Sequence, residues 1–325
     1  MKTKSFEMVV LMVGIACLFI LILAVGCTCS SDLFADAEDV INRSFDVSEG
    51  GTLTMDVDRA SIQVETGRAK QVEVEVLRKV GASDESRAKE ILAKYKIDFH
   101  HSGSGVTIET DDHARKSGLF SWLKDAKLRV RFIVTVPAKY NLNLKTSGGS
   151  ITVSDIQGDV KAKTSGGSLK FAYIKGPVWG RTSGGSIQLE RCTGDADVVT
   201  SGGSLRLGTV EGEVNARTSG GSIQVKEVMG TINAQTSGGS VSAAISKQPA
   251  GDCRLTTSGG SITVHLGENL KMDVEAKTSG GTVSTDLPVT LQGELSKRRL
   301  EGKINGGGPL LYLKTAGGSI RIKTM

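Results

Sequence analysis

Residues 146–163 read Thr-Ser-Gly-Gly-Ser-Ile-Thr-Val-Ser-Asp-Ile-Gln-Gly-Asp-Val-Lys-Ala-Lys, and then the unit begins again. Its opening phrase, Thr-Ser-Gly-Gly-Ser, starts at Thr146, Thr164, Thr182, Thr200, Thr218, Thr236 and Thr257. Variants follow at Thr278, with Thr282 in the fifth place, and at Thr315, with Ala316 in the second. The first five steps are 18 residues each, the next two are 21 and the last is 37. A fixed period this short marks one structural unit stacked on itself.

Counted from each threonine, slots 6 and 8 are apolar (Ile151 and Val153, Leu169 and Phe171, Ile187 and Leu189), and so is slot 11 (Ile156, Ile174, Cys192, Val210, Val228). In the five 18-residue units slot 13 is glycine throughout, slot 15 is Val160, Val178, Ala196, Val214 and Ile232, and slot 17 is small or apolar. Polar residues at slots 7 and 16 give the period of two that marks half-buried strands. Glycines at both corners fit a bend that needs positive φ or a close backbone approach. Eighteen residues leave no room for a crossover helix, so each strand is expected to pair in parallel with its copy one turn away. The fold class is therefore all-β: a single-chain parallel β-solenoid of about 18-residue coils, with rungs about 4.8 Å apart. A meander of hairpins would show the same alternation, but identical residues at identical slots favour stacking. Nine rungs would span roughly 40 Å at that spacing. Alternation turns the threonines inward as a hydroxyl ladder, which argues against an ice-binding array on the surface.

The coil starts before the regular repeats. Ala60-Ser61-Ile62-Gln63-Val64 echoes Gly221-Ser222-Ile223-Gln224-Val225, preceded by Leu53, Met55 and Val57 in the inward slots. Further alternation covers Val72 to Val76, Val106 to Ile108, Leu128 to Val136, and Leu142 with Leu144. Residues 48–145 thus read as irregular first coils, and 146–325 as the regular solenoid with a C-terminal cap. Two insertions interrupt them. Ser83 to Lys96 carries an Ala88, Ile91, Leu92, Tyr95 stripe, expected as a short amphipathic helix that caps the open first rung near the N-terminal end. His113 to Lys124 carries Phe120 and Trp122 among basic residues, and is either a loop folded over that cap or a tip that touches a membrane or partner. At the far end, Arg321 and Lys323 lie outward on the final strand, where they would discourage further stacking.

Residues 1–27 read as a targeting segment, and 28–47 as a linker. Lys2 and Lys4 precede an apolar run from Met8 to Val25, which places the repeats on the extracytoplasmic side of a membrane. Leu23-Ala24-Val25-Gly26-Cys27 resembles a bacterial lipobox, with Cys27 as the lipidated residue. An uncleaved transmembrane anchor and ordinary secretion stay open. Thr28 after the cysteine would, by resemblance to Gram-negative sorting, favour the outer membrane over the cell membrane. Of the five cysteines, Cys192 and Cys253 fall in inward slots three rungs apart, or roughly 14 Å. A disulfide needs Cα atoms within about 7 Å, so two separate buried thiols are expected.

Aromatics make up only 4% against 41 glycines, which suits a narrow core. The net charge of +5 allows attraction to anionic surfaces, but no nucleic-acid-binding motif is present. No catalytic constellation emerges. His100, His101, His113 and His265 lack metal-ligand spacing. No serine sits in G-x-S-x-G, the Gly-Gly pairs lack a phosphate-loop lysine, and a calcium roll would need Asp beside the glycines. Because some β-helices cleave polysaccharides, outward aromatics count: Tyr173 at slot 10 and Trp179 at slot 16 could stack on sugars, or be surface variation. No catalytic residue, metal or cofactor is assigned.

With T-S-G-G-S-I-x-V repeats, an apolar N-terminal anchor and the ending Ile304-Asn305-Gly306-Gly307 … Thr315-Ala316-Gly317-Gly318-Ser319-Ile320, the chain resembles the bacterial putative-adhesin family of β-strand repeats, a domain of unknown function. The resemblance covers residues 48–325 and implies an extracytoplasmic, non-enzymatic β-solenoid. The function expected is that of an adhesin or structural scaffold of the cell envelope. An envelope-stress or assembly accessory that binds another membrane protein is the alternative, and a polysaccharide-binding or polysaccharide-degrading β-helix is a further one. The partners implied are a membrane and either a surface glycan or another envelope protein, with no nucleic acid.

Overall fold

The computed structural model describes residues 35–68, 70–82, 85–110, 127–292 and 296–325. Contacts divide the chain into two compact units, Met1–Leu33 and Phe34–Met325, and all described residues lie in the second. Cys27, Phe120 and Trp122 fall outside them.

The repeat builds the expected parallel solenoid. An inbound strand leads into each Thr-Ser-Gly-Gly-Ser corner and an outbound strand leaves it. Val160–Lys163 and Leu169–Lys175 do so around Thr164, and Val178–Arg181 and Ile187–Cys192 around Thr182. Inbound and outbound strands collect into two 14-stranded sheets. Pairing is slot on slot: Leu169 lies beside Ile151 on one side and Ile187 on the other. Both sheets turn their apolar slots into one continuous core, where Ile151, Leu169, Ile187 and Leu205 are fully buried. The structure counts eleven stacked coils among the described residues.

The corners follow from backbone crowding. A Cβ on Gly167 would stand 2.1 Å from the Gly149 carbonyl oxygen of the neighbouring coil, so the second glycine is set by close approach. All nine repeat threonines are buried. Each hydroxyl donates across the stack: Thr164 Oγ1 to Gly149 O at 2.8 Å, Thr200 to Gly185 O at 2.7 Å, Thr315 to Gly260 O at 2.7 Å. The hydroxyl ladder is therefore inward, and it bonds threonine to a glycine carbonyl in every coil but the Thr146 one, where the acceptor is Ala60 O. Outside it runs a serine relay, in which each serine N–H donates to the hydroxyl of the serine one coil away, from Ser168 on Ser150 to Ser261 on Ser240.

The ends depart from simple sequential stacking. The Thr315 coil, made of Leu310–Thr315 and Ile320–Thr324, lies between the Thr257 and Thr278 coils. The reason is local. Arg299–Ile304 pairs antiparallel with Met272–Thr278 and takes its outer edge. A left-handed turn at Asn305, Gly306 and Gly307 (φ 53°, 90° and 89°) then returns the chain, which can pair only on the inner edge. Arg321 and Lys323 consequently sit on an interior strand and do not terminate the stack. The N-terminal end mirrors this arrangement. Gly105–Thr110 and Lys127–Pro137 form the outermost coil, and the earlier pair Thr52–Val57 and Ala60–Gly67 lies between it and the Thr146 coil.

Antiparallel strands cover the N-terminal end. Gln71–Ala82 and then Ala35–Asp46 extend the outbound sheet, and Ile97–Ser102 extends the inbound one. The stretch expected as a linker thus contributes a 12-residue strand. The helix forms at Glu85–Lys94. It packs on the two added outbound strands with Val80, Ala88 and Ile91 in a small cluster of its own. The strands, not the helix, close the first rung. Arg78 Nη1 satisfies carbonyls at the helix C-terminus, those of Leu92 at 3.0 Å and Tyr95 at 3.2 Å.

Candidate functional site

Alternation that buries slots 15 and 17 of the inbound strand leaves slots 16 and 18 outward. Stacking in register turns them into two columns that run along the solenoid axis. The slot 16 column passes through Asn143, Lys161, Trp179 and Asp197, and the slot 18 column through Lys145, Lys163, Arg181 and Val199. At the Thr146, Thr164 and Thr182 coils these columns enclose a shallow cleft of about 410 Å³, lined by Asn143, Lys145, Lys161, Lys163 and Trp179.

The cleft is cationic and unbalanced. Lys145 Nζ pairs with Asp56 Oδ2 at 2.6 Å, and Arg181 pairs with Asp197. Those carboxylates mark the two ends of the patch. Between them Lys161 and Lys163 are exposed, with no ion-pair or hydrogen-bond partner among the described residues. Lys163 has a cation on both sides, Lys145 on one neighbouring strand and Arg181 on the other. Like charges directly opposite on a sheet cost stability. Trp179 is half-buried, with the Arg181 guanidinium 4.5 Å from its ring centroid.

The same inbound sheet offers a comparison at its other end. There Lys314, Lys277 and Arg299 stack in the slot 18 column beside Tyr312, over which Arg254 lies at 4.3 Å. Glu275 and Glu301 stand in the adjoining column, and Glu301 pairs with Arg299. Six outward positions there hold three cations and two carboxylates. The six at the Trp179 end hold four cations and no carboxylate.

Trp179 and Tyr173, both singled out by the sequence, do not come together. Tyr173 lies on the outbound sheet, with Arg191 5.1 Å and Lys175 5.8 Å from its ring. Arg191 is itself paired with Glu211 at 2.7 Å, so that cluster is satisfied internally. Lys145, Lys161, Lys163 and Arg181 were not picked out from sequence. The signal for them is slots 16 and 18 read down the repeat as columns.

No group of three or more His, Cys, Asp or Glu able to hold a metal exists among the described residues. His100 and His101 are exposed on an edge strand. The two described cysteines, Cys192 and Cys253, are free thiols buried in the core, as expected. Burial pushes the Cys192 thiol up to about 12, helped by the Asp195 and Glu211 carboxylates, and burial raises Cys253 as well. Thiols held this far from ionisation are inert packing groups. Among the described residues no helix is long and apolar enough to cross a membrane, and the Met8 to Val25 run lies outside them.

No curated protein matches the chain. Solved structures similar to it include a putative adhesin from Bacteroides fragilis, 13% identical, covering 88% of this chain and 97% of that one with a TM-score of 0.36. Another is a putative lipid binding protein from Parabacteroides distasonis, 15% identical over 88% and 97%, with a TM-score of 0.34. A third is a putative cell adhesion protein from Clostridium sporogenes, 14% identical over 88% and 100%, with a TM-score of 0.25. The assignment rests instead on a family model, that of Toastrack DUF4097, which matches residues 51–323. The glycine corners of the eleven-coil stack all fall within that span, and the chain belongs to the Toastrack DUF4097 family.

Proposed function

We propose that this protein is a non-catalytic binding scaffold of the cell envelope, anchored to a membrane through its N-terminal segment, with the solenoid on the extracytoplasmic side in an adhesive role. The observation that carries the reading is the cationic ladder Lys145, Lys163 and Arg181 with Lys161, in which Lys145 and Arg181 have carboxylate partners at the ends and Lys161 and Lys163 have none among the described residues. A stack of like charges that two carboxylates neutralise only at its ends costs stability in the middle and gains its value from something outside the chain. Around it, the core is built of apolar slots and hydroxyl ladders that hold the outward columns in place.

In-cell crosslinking of the full chain, followed by mass spectrometry, tests this reading. Capture of glycan or other surface material supports it. Capture of a single membrane protein, with no surface material, replaces it with an assembly-accessory role.

A further inference from the structure

We infer that the cleft lined by Lys145, Lys161, Lys163 and Trp179, with Arg181 beside it, binds an acidic polysaccharide, with Lys161 and Lys163 meeting its anionic groups and Trp179 stacking on a sugar ring. The inference rests on the binding-scaffold reading and names the ligand of that site.

Geometry sets the ligand's shape. The two columns span three coils, which is about 10 Å along the axis and about 7 Å across the strands at ordinary sheet spacings. That is a footprint for a short stretch of a linear chain laid along the solenoid. Lys161 stands between Asn143 and Trp179, and Lys163 between Lys145 and Arg181, so cations line both flanks. Asp56 and Asp197 close the patch at either end and would repel an anion that overran it.

Chemistry sets the ligand's class. Two free ammonium groups call for carboxylate, sulfate or phosphate. An aromatic face beside them calls for an apolar ring surface, which the C–H face of a sugar supplies. An anionic membrane would also answer the charge, but Trp179 is half-buried on the sheet, with the Arg181 guanidinium 4.5 Å from its ring centroid. Aromatics that anchor at a bilayer must reach into it.

The test uses the full chain in detergent micelles. Its probes are polygalacturonate and dextran sulfate, each against its neutral counterpart: fully methyl-esterified polygalacturonate and dextran. At least one acidic polymer is expected to bind, with its neutral counterpart about tenfold weaker or more. The double variant Lys161→Gln with Lys163→Gln should weaken binding by about tenfold or more, as loss of charge-assisted contacts does. Trp179→Ala should weaken it too. Lys277→Gln with Lys314→Gln, at the other cationic stack, should leave it unchanged. Both lysine pairs are outward and face like charges, so thermal unfolding at or above the wild-type temperature will show that these variants still fold. The inference is overturned if neither acidic polymer binds, if neutral polymers bind equally, or if the 161/163 variant binds like wild type. It is also overturned if phosphatidylglycerol vesicles, and not the polymers, depend on Lys161 and Lys163. Surface material captured in cells by the 161/163 variant as well as by wild type would sink this site and leave the scaffold reading standing.

Discussion

Gly180 and Phe171 share one volume of the core. A Cβ placed on Gly180 would stand 3.4 Å from Phe171 Cε2, 3.3 Å from Leu169 Cδ1 and 3.4 Å from Val198 Cγ1. In the other 18-residue units slot 17 holds Ala162, Val198, Ala216 and Ala234, and slot 8 holds Leu or Val. The one large ring in slot 8 faces the one absent side chain in slot 17. Gly180→Ala alone should therefore overpack the coil and cost about 1–2 kcal/mol. Phe171→Leu alone should leave a gap and cost a similar amount. Together they should cost less than the sum by about 1 kcal/mol, read from a double-mutant cycle in urea. Simple additivity would show that the two side chains do not share space.

The paired glycines differ in what they tolerate. A Cβ on Gly202 would meet Gly184 O at 3.4 Å, an ordinary contact, but one on Gly203 would meet Gly185 O at 2.1 Å. That second approach involves backbone on both sides, so no side chain can move aside. Gly202→Ala should change stability by less than about 1 kcal/mol, and Gly203→Ala should cost about 3 kcal/mol or more. Equal effects on the unfolding midpoint would mean that the corner is looser than its geometry.

Cys192 links the core to alkaline stability. The thiol ordinarily titrates near 9.0, and burial with the Asp195 and Glu211 carboxylates pushes it up to about 12 in the folded chain. Between those values the unfolded chain releases a proton that the folded chain keeps. Stability should fall as pH rises from about 9 toward about 12, and this group contributes no slope below that window. Cys192→Val, which copies Val210 and Val228 in the same slot, should flatten the decline in denaturation series on either side of pH 9. Thiol labelling of the native protein should be slow at both Cys192 and Cys253.

The stack was legible because a repeat aligns with itself. Slots 6, 8, 11, 15 and 17 gave the buried positions, and the threonine column gave the inward hydroxyls. The order of the end coils was not legible. It depends on which edge of Met272–Thr278 the antiparallel strand Arg299–Ile304 occupies, and strand-edge choice leaves no trace in a period of two. The cleft fell in between. Trp179 stood out as an aromatic among polar residues, whereas its lysines were ordinary surface residues until register set Lys145, Lys163 and Arg181 side by side.

Cys27 should carry the lipid. Cells fed a labelled fatty acid should label the wild-type chain, and Cys27→Ala should abolish that label and reduce membrane retention. An unlabelled wild type that stays in the membrane would instead make the Met8 to Val25 run an uncleaved anchor. Label that persists in the variant would place the lipid elsewhere.

The coil order at the C-terminal end has a direct covalent test. The serine relay passes from Ser261 to Ser319 and then to Thr282: Ser319 N–H donates to Ser261 Oγ at 3.2 Å, and Thr282 N–H donates to Ser319 Oγ at 3.2 Å. Neighbouring rungs lie about 4.8 Å apart, inside the reach of a disulfide, and alternate rungs lie about 10 Å apart, outside it. Cysteines at 261 and 319 should cross-link under mild oxidation, and so should cysteines at 319 and 282. Cysteines at 261 and 282 should not. Sequential stacking predicts the reverse for 261, joining it to 282 and leaving 319 out of reach. Peptide mapping by mass spectrometry separates the two orders. A 261–282 bond formed as readily as 261–319 would remove the inserted coil from the fold.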